Sequence, residues 1–163
     1  MTWHVEAPLV LGVDPGTTET AWVELDTERN KLESFGKCDN HAFLEKLRAG
    51  PNYGSMAIEM IASYGMAVGA EVFETCVWIG RFIEAWGGPF TKVYRREVKM
   101  FLCGNNSADD SNIRQALIDR YGGKDAAIGK KKSPGPLYGI SGDMWAALGV
   151  AVTWQHTHAK KAA

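Results

Sequence analysis

The feature that most restricts the fold of this chain is a short apolar run, residues 9–13, that stops abruptly at Asp14-Pro15-Gly16. Such a run followed by turn formers is typical of a buried strand that ends in a turn. The strand pattern resumes over residues 20–25 and again over 31–38, with short polar segments between the runs. The sequence therefore predicts two consecutive hairpins at the start of the fold.

After these hairpins, helix and strand patterns alternate, which is typical of an α/β fold with a mixed sheet covered by helices. The predicted strands are residues 55–61 and 91–94. Residues 129–142, rich in lysine, glycine and proline, predict a mobile loop. The predicted helices are residues 40–48 with Asn40 as cap, 70–86, 95–102, 107–121 with Ser107 as cap, and a last helix from Gly142-Asp143.

Length and composition fit one globular domain over residues 1–163, with 45% hydrophobic and 23% charged residues. No stretch approaches the ~20 apolar residues that span a bilayer, and the start, Met1-Thr2-Trp3-His4, does not resemble a leader. We therefore expect a cytoplasmic protein. Three widely spaced cysteines argue against disulfides or a zinc knuckle and predict reduced core residues: Cys38, Cys76 and Cys103.

The formal net charge of −1 gives no overall attraction to a polyanion, so any affinity for nucleic acid depends on local basic patches. Two patches are present, although such runs are commonly only solvated surface. One lies between Lys124 and Lys132 and includes Lys130, Lys131 and Lys132; the other comprises Arg95, Arg96 and Lys99.

Three acidic residues stand out by position. Asp14 ends the first buried strand, Glu59 interrupts an apolar run, and Asp143 begins an apolar helix. A carboxylate within such a run costs several kcal/mol unless it is paired or metal-bound. Each also has a plainer interpretation, respectively a turn residue, an outward-facing strand residue and a helix cap.

Strand ends and a helix start can meet in one crevice of an α/β sheet. Three carboxylates brought together would repel each other unless a divalent cation neutralised them, and Mg²⁺ prefers such oxygen ligands. A site of this kind performs in-line phosphodiester hydrolysis. The acidic set therefore predicts a magnesium-dependent nuclease.

Four segments, in order along the chain, resemble motifs of the RuvC-type Holliday junction resolvases, and above all their phage-encoded branch. The sequence VLGVDPGT at residues 10–17 is similar to the first strand of that family, and AIE at 57–59 to its second acidic motif. RREVK at 95–99, with Gly104 and Ser107-Ala108, resembles its Val-Lys and Gly-x-x-Ser-Ala segment. DMWAALGVAVT at 143–153 resembles its final acidic helix.

This resemblance implies an RNase H-like fold with a five-stranded mixed β-sheet flanked by α-helices. It also implies Mg²⁺, with Mn²⁺ able to substitute, and a homodimer that cuts two strands of a four-way DNA junction. By the same analogy one helical face contributes to the dimer interface, with a core face as the equal alternative: Val72, Cys76, Ile79 and Ile83.

The chain departs from the family pattern at three positions. Ala146 stands where the family has a fourth acidic ligand, which leaves three carboxylates or a further donor such as Ser141. Ala62 replaces a stacking aromatic, a role open to Tyr64. Asp110 replaces a lysine, which leaves phosphate neutralisation to Lys99 and the 130–132 lysines.

The resemblance gives Asp14 the role of central metal ligand, with Glu59 and Asp143 completing the site and Lys99 or a loop lysine stabilising charge on the phosphate. Three alternatives stay open. GVDPGTT at 12–18 also resembles the first phosphate motif of actin-fold kinases, although a chain of this length lacks room for two lobes. The others are a non-catalytic junction-binding protein and a nuclease for other branched DNA or RNA–DNA hybrids.

Overall fold

The computed structural model describes residues 8–162, with side chains described through residue 159. The first residues, 1–7, on which the expectation of no leader depended, lie outside the described part. The strands are β1 (Leu9–Pro15), β2 (Glu19–Asp26), β3 (Lys31–Asp39), β4 (Ser55–Met60), β5 (Phe90–Tyr94), β6 (Gly129–Lys130) and β7 (Ser133–Pro134). The helices are α1 (Asn40–Ala49), α2 (Ala70–Trp86), α3 (Arg95–Cys103), α4 (Asp110–Arg120), α5 (Lys124–Ala127) and α6 (Met144–Ala162).

The main sheet has five strands in the order β3-β2-β1-β4-β5. The first three strands are antiparallel neighbours, which confirms the two predicted hairpins. β4 then pairs in parallel with β1, and β5 in parallel with β4. This mixed sheet flanked by helices confirms the predicted fold class.

Alternating residues of β1 separate the two halves of the core. Val10 packs into the cluster beneath α6, whereas Leu11 and Val13 pack into the cluster formed with α1 and α2. Gly12 sits directly under α6: a Cβ there would lie 2.5 Å from the Ala147 carbonyl oxygen and 2.7 Å from the Ala151 Cβ. The missing side chain therefore allows α6 to lie flat against the strand that ends in Asp14.

Two predicted helix caps are wrong by one to two residues. Asp39, not Asn40, caps α1 by accepting a hydrogen bond from the Ala42 amide. The side chain of Asn40 is instead buried, where it bonds with Thr20 and with the Gly16 carbonyl, because the first turn of α1 packs on the β1–β2 turn.

α4 begins later than predicted, since Asp109 rather than Ser107 is its cap. The Asp109 carboxylate accepts from the Asn112 amide while the Asn112 side chain accepts from the Asp109 amide, a reciprocal capping box. Ser107 lies in the preceding turn and its own amide donates to Asn105.

The segment predicted as a mobile loop, residues 129–142, begins with regular structure. β6 and β7 form a small hairpin there, and Leu137 and Ile140 are buried in the core beneath α6. The short helix α5 before it was not predicted. Leu137 and Ile140 therefore attach this segment to the core, whereas the lysines at 130–132 in its turn are exposed.

The predicted apolar face of α2 is only partly correct. Ile79 faces the core with Thr75, Phe82 and Trp86, so it is not free to meet a partner. All three cysteines are free and only half-buried, which corrects the prediction of core residues. Within residues 8–162 no helix is both long and apolar enough to cross a bilayer.

Candidate active site

The adjacent ends of β1 and β4 bring two acidic side chains into contact. Val13 is aligned with Ile58 across these parallel strands, so the next residues, Asp14 and Glu59, both turn to the face covered by α6. Parallel neighbours lie about 4.8 Å apart, within reach of a direct bond between side chains. The two carboxyl groups lie within hydrogen-bonding range, and their interaction acts to raise the pKa of Asp14 and to lower that of Glu59.

Asp143 approaches the same face from the start of α6. Gly142, with φ of 51°, turns the chain into the helix, and the Asp143 carbonyl accepts from the Ala147 amide at 3.2 Å. The close packing of α6 on Gly12 fixes where this helix start lies relative to β1. The negative charge of Asp143 contributes to raising the pKa of Asp14, which puts its carboxylate within electrostatic range of the pair.

The two strand-end acids cannot both ionise easily. Burial raises the pKa of Asp14 to about 8, and the charges of Glu59 and Asp143 add to that effect. Burial also raises the pKa of Glu59, against the opposing effect of the nearby Arg95 guanidinium. A cation is electrostatically favoured where two neighbouring acids both have raised pKa values.

Basic side chains already contact two of the three acids. Arg95, which the sequence predicted to bind DNA, lies with Nη1 3.6 Å from Glu59 Oε1, and its Nη2 contacts Asp110 Oδ1. On the other side, Lys37 Nζ lies 2.7 Å from Asp143 Oδ2. Two basic side chains of the same chain therefore flank the acidic site, Arg95 at Glu59 and Lys37 at Asp143.

A small cavity of about 60 Å³ separates the start of α6 from β4 and α3. Its walls include Glu59, Asp143 and Ala146, the position where the family has a fourth acid. Asp110, which stands at the family's lysine position, lines the same cavity. Asp110 of α4 thus supplies an additional carboxylate at this cavity, whereas α6 has Ala146 where the family has its fourth acid.

A wider groove of about 320 Å³ adjoins Glu59 on the side of α3. Tyr64, Arg96 and Lys99, all predicted to contact DNA or phosphate, line it, and the Tyr64 ring is 64% exposed. The 130–132 lysines are on the β6–β7 hairpin and line neither cavity, and Ser141 does not line them either. With Arg95, which lines the same groove, the structure therefore gathers four of the predicted DNA contacts beside the acids and leaves the lysine-rich turn apart.

The donor set fits a divalent metal ion in chemistry, since it consists of carboxylate oxygens in a place where their charges oppose each other. In residues 8–162, however, no three His, Cys, Asp or Glu side chains are arranged ready to hold an ion. Asp14 and Glu59 are together, whereas the Asp143 oxygen is bound to Lys37. Metal binding through Asp143 Oδ2 would thus compete with that ion pair.

Lys37 and its second partner, Glu19, were not predicted as site residues. Lys37 faces Ala21 across β2, and Ala21 in turn faces Asp14 across β1. Recognising this from the sequence would require the exact strand register, which a bulge at Glu24/Leu25 shifts along the same hairpin.

Solved structures match this fold across nearly their whole length, and two of them are structures of the same protein. The structure of Thermus thermophilus RuvC matches with a TM-score of 0.64 and 18% identity, over 93% of this chain and 96% of that one. The chain has the RuvC-like fold. Thermus thermophilus RuvC in complex with a Holliday junction substrate matches with a TM-score of 0.59 and 17% identity, over 93% of this chain and 95% of that one.

Structural matches at so low a sequence identity show the fold alone, so the activity has to be argued from the site. No protein-family model matches the chain, and no curated protein matches it. The chemistry of Asp14, Glu59 and Asp143 therefore carries the functional argument.

Proposed function

We propose that this chain is a structure-selective endonuclease that resolves four-way DNA junctions by metal-dependent phosphodiester hydrolysis. The observation that supports it most is the direct pairing of the partly buried Asp14 and Glu59 at the ends of adjacent strands, with Asp143 within electrostatic range of Asp14. A contacting pair of acids with a third acid within electrostatic range is hard to explain as turn, surface and cap residues.

The proposed ligands are Asp14 at the centre, with Glu59 and Asp143 on either side, for Mg²⁺ or a substituting Mn²⁺. A divalent ion held by these oxygens supplies charge neutralisation at the phosphate and an activated water. The chain itself holds the acids: β1 and β4 fix Asp14 and Glu59, and α6 presents Asp143. Lys99, which also lowers the pKa of Glu59, is placed to stabilise charge on the phosphate.

The groove beside Glu59 is the proposed path of the DNA next to the cut. Arg96 and Lys99 there would neutralise phosphates, and the exposed Tyr64 ring would hold an unstacked base. Arg95 would serve the same backbone after leaving the acids. Lys130, Lys131 and Lys132 would contact a more distant arm of the junction from their hairpin.

A four-way junction is cut on two strands, so the proposed enzyme is a homodimer with two copies of the site. One of the two solved structures above is a complex with a Holliday junction substrate, and the motif resemblance favours the phage-encoded branch of such resolvases. The proposed location is accordingly the cytoplasm of a host cell.

Cleavage of synthetic substrates tests the enzyme, the metal and the substrate together. A four-way junction, a Y-shaped DNA, a linear duplex and an RNA–DNA hybrid are incubated with the protein and Mg²⁺, and in parallel with chelator. The expected result is paired cuts in the junction, with Mg²⁺ only, and much slower cutting of the duplex.

Asp14→Asn is the matched variant, since it keeps the side-chain shape but removes the charge. It should lower cleavage by at least about 10³-fold while junction binding persists. Cleavage of the hybrid or Y-shape in preference to the junction would contradict the resolvase assignment. Junction binding without any cleavage would favour the non-catalytic alternative, to which the missing fourth acid at Ala146 gives some weight.

A further inference from the structure

Lys37 on β3 holds two acids from different elements at the edge of the site. Its Nζ lies 2.7 Å from Asp143 Oδ2 and 3.2 Å from Glu19 Oε2. The Lys37 side chain is 38% exposed, and those of its partners are each 58% exposed. The ammonium therefore bridges the start of β2 and the start of α6.

The strand register explains why a lysine on the third strand reaches this place. Lys37 faces Ala21, and Ala21 faces Asp14, so the three form a row across β3, β2 and β1 on the side covered by α6. Glu59 follows on β4. The small side chain of Ala21 leaves the space above β2 open to the long lysine chain, which extends toward the start of α6.

The ion pair holds one oxygen, Oδ2, of the Asp143 carboxylate that the proposed metal ion would need. Asp14 and Glu59 are bonded to each other, but the described residues contain no set of three acids in a metal-holding arrangement. The third acid, Asp143, accepts a hydrogen bond at its Oδ2 atom from the Lys37 ammonium.

We propose that Lys37 is a positioning residue that holds Asp143 in the metal-free protein and gives it up when a divalent ion binds. Glu19 makes this exchange easy, because Lys37 keeps a second carboxylate partner after Asp143 has left. The proposal rests on the proposed function, since it assumes that Asp143 is a metal ligand. It adds that the chain's own cation competes with the metal.

Mn²⁺ affinity of the metal-free protein, followed by the electron paramagnetic resonance signal of free Mn²⁺, tests this competition without any substrate. Lys37→Met should bind Mn²⁺ about three- to fivefold more tightly than wild type, the size expected for loss of a partly exposed ion pair. Lys37→Arg should stay near wild type. Lys31→Met, an exposed lysine at the far end of the same strand, is the matched control and should change nothing.

The Asp143→Asn background separates a direct ion pair from a general effect of charge. If Lys37 acts through Asp143, Lys37→Met has no further effect on Mn²⁺ affinity when Asp143 is already Asn. A gain of the same size in both backgrounds would overturn the proposal. Lys37→Gln serves the same comparison if circular dichroism shows that the Met variant is unfolded.

Two further outcomes are distinguishable. Wild-type protein that binds Mn²⁺ with the same affinity as Lys37→Met would overturn the role of Lys37 and leave the proposed nuclease intact. Wild-type protein that binds no Mn²⁺ at all, with or without Lys37, would overturn the proposed metal-dependent function and this inference with it.

Discussion

Asp14 and Glu59 are two partly buried acids in contact, and their arrangement costs stability when no cation is present. The pKa of Asp14 rises from 3.8 to about 8 because of burial and then of the charges of Glu59 and Asp143. A raised pKa in the folded state favours folding at low pH, and this contribution is lost as the pH rises through about 8. The metal-free protein should therefore lose stability between about pH 4 and pH 8.

Asp14→Asn removes this titration and should stabilise the metal-free protein at pH 8 by on the order of 2 kcal/mol, or about 4–8 °C in Tm. The gain should shrink at pH 5, where Asp14 is already neutral. Thermal unfolding in chelator at the two pH values measures it. Asp125→Asn, at an exposed acid on α5, is the control, and an equal pH dependence in wild type and Asp14→Asn would contradict the expectation.

Single acids could be singled out from the sequence because a charge inside an apolar run is an anomaly with few explanations. Glu59 is of that kind, whereas Asp14 and Asp143 stand at the end of an apolar strand and at the start of an apolar helix and were singled out only as members of the set. Lys37 was not singled out, since a lysine on a half-exposed strand needs no explanation, and its partner is 106 residues away. Arg95 was singled out as a basic residue, but its contact with Glu59 depends on how α3 follows β5.

Among the elements, β1 and α6 determine the site. Asp14 lies near the end of β1, and Asp143 directly precedes the first residue of α6. The close contact of these two elements at Gly12 leaves no room for a methyl group beside Ala147 and Ala151. Any displacement of α6 would move Asp143 away from the strand-end acids.

Gly12→Ala should destabilise the protein by about 2–3 kcal/mol, because the added carbon meets backbone and a buried side chain. Gly80→Ala is the matched control: it lies within α2 with open space around it, and should be neutral or stabilising by about 0.5–1 kcal/mol. Urea unfolding measures both. A Gly12→Ala variant as stable as wild type would show that α6 can shift without cost.

Strands and long helices were predictable because they follow a period of two or 3.6 residues over many positions. The ends of the helices were less predictable. Asp39 and Asp109 cap helices although Asn40 and Ser107 nearby are equally suitable residue types, and tertiary packing decides between the candidates. The β6–β7 hairpin has two residues in each strand. That is too short for any periodic signal.

At the level of the whole molecule, the outer face of α2 carries exposed apolar side chains, with Phe73 63% and Val77 59% exposed. The proposed homodimer would cover them. Phe73→Asp should convert a dimer to a monomer in multi-angle light scattering, whereas Tyr53→Asp, at an aromatic ring that is equally exposed, should leave the dimer unchanged. A wild-type protein that is monomeric at micromolar concentration would contradict this arrangement.

The most direct measurement is anomalous diffraction from crystals of the protein soaked in Mn²⁺. The expected result is a peak within about 2.0–2.3 Å of carboxylate oxygens of both Asp14 and Glu59, with Asp143 turned toward it and away from Lys37. Saturating Mn²⁺ that leaves no peak between Asp14 and Glu59, or binds only elsewhere on the protein, would contradict a nuclease site built from these three acids.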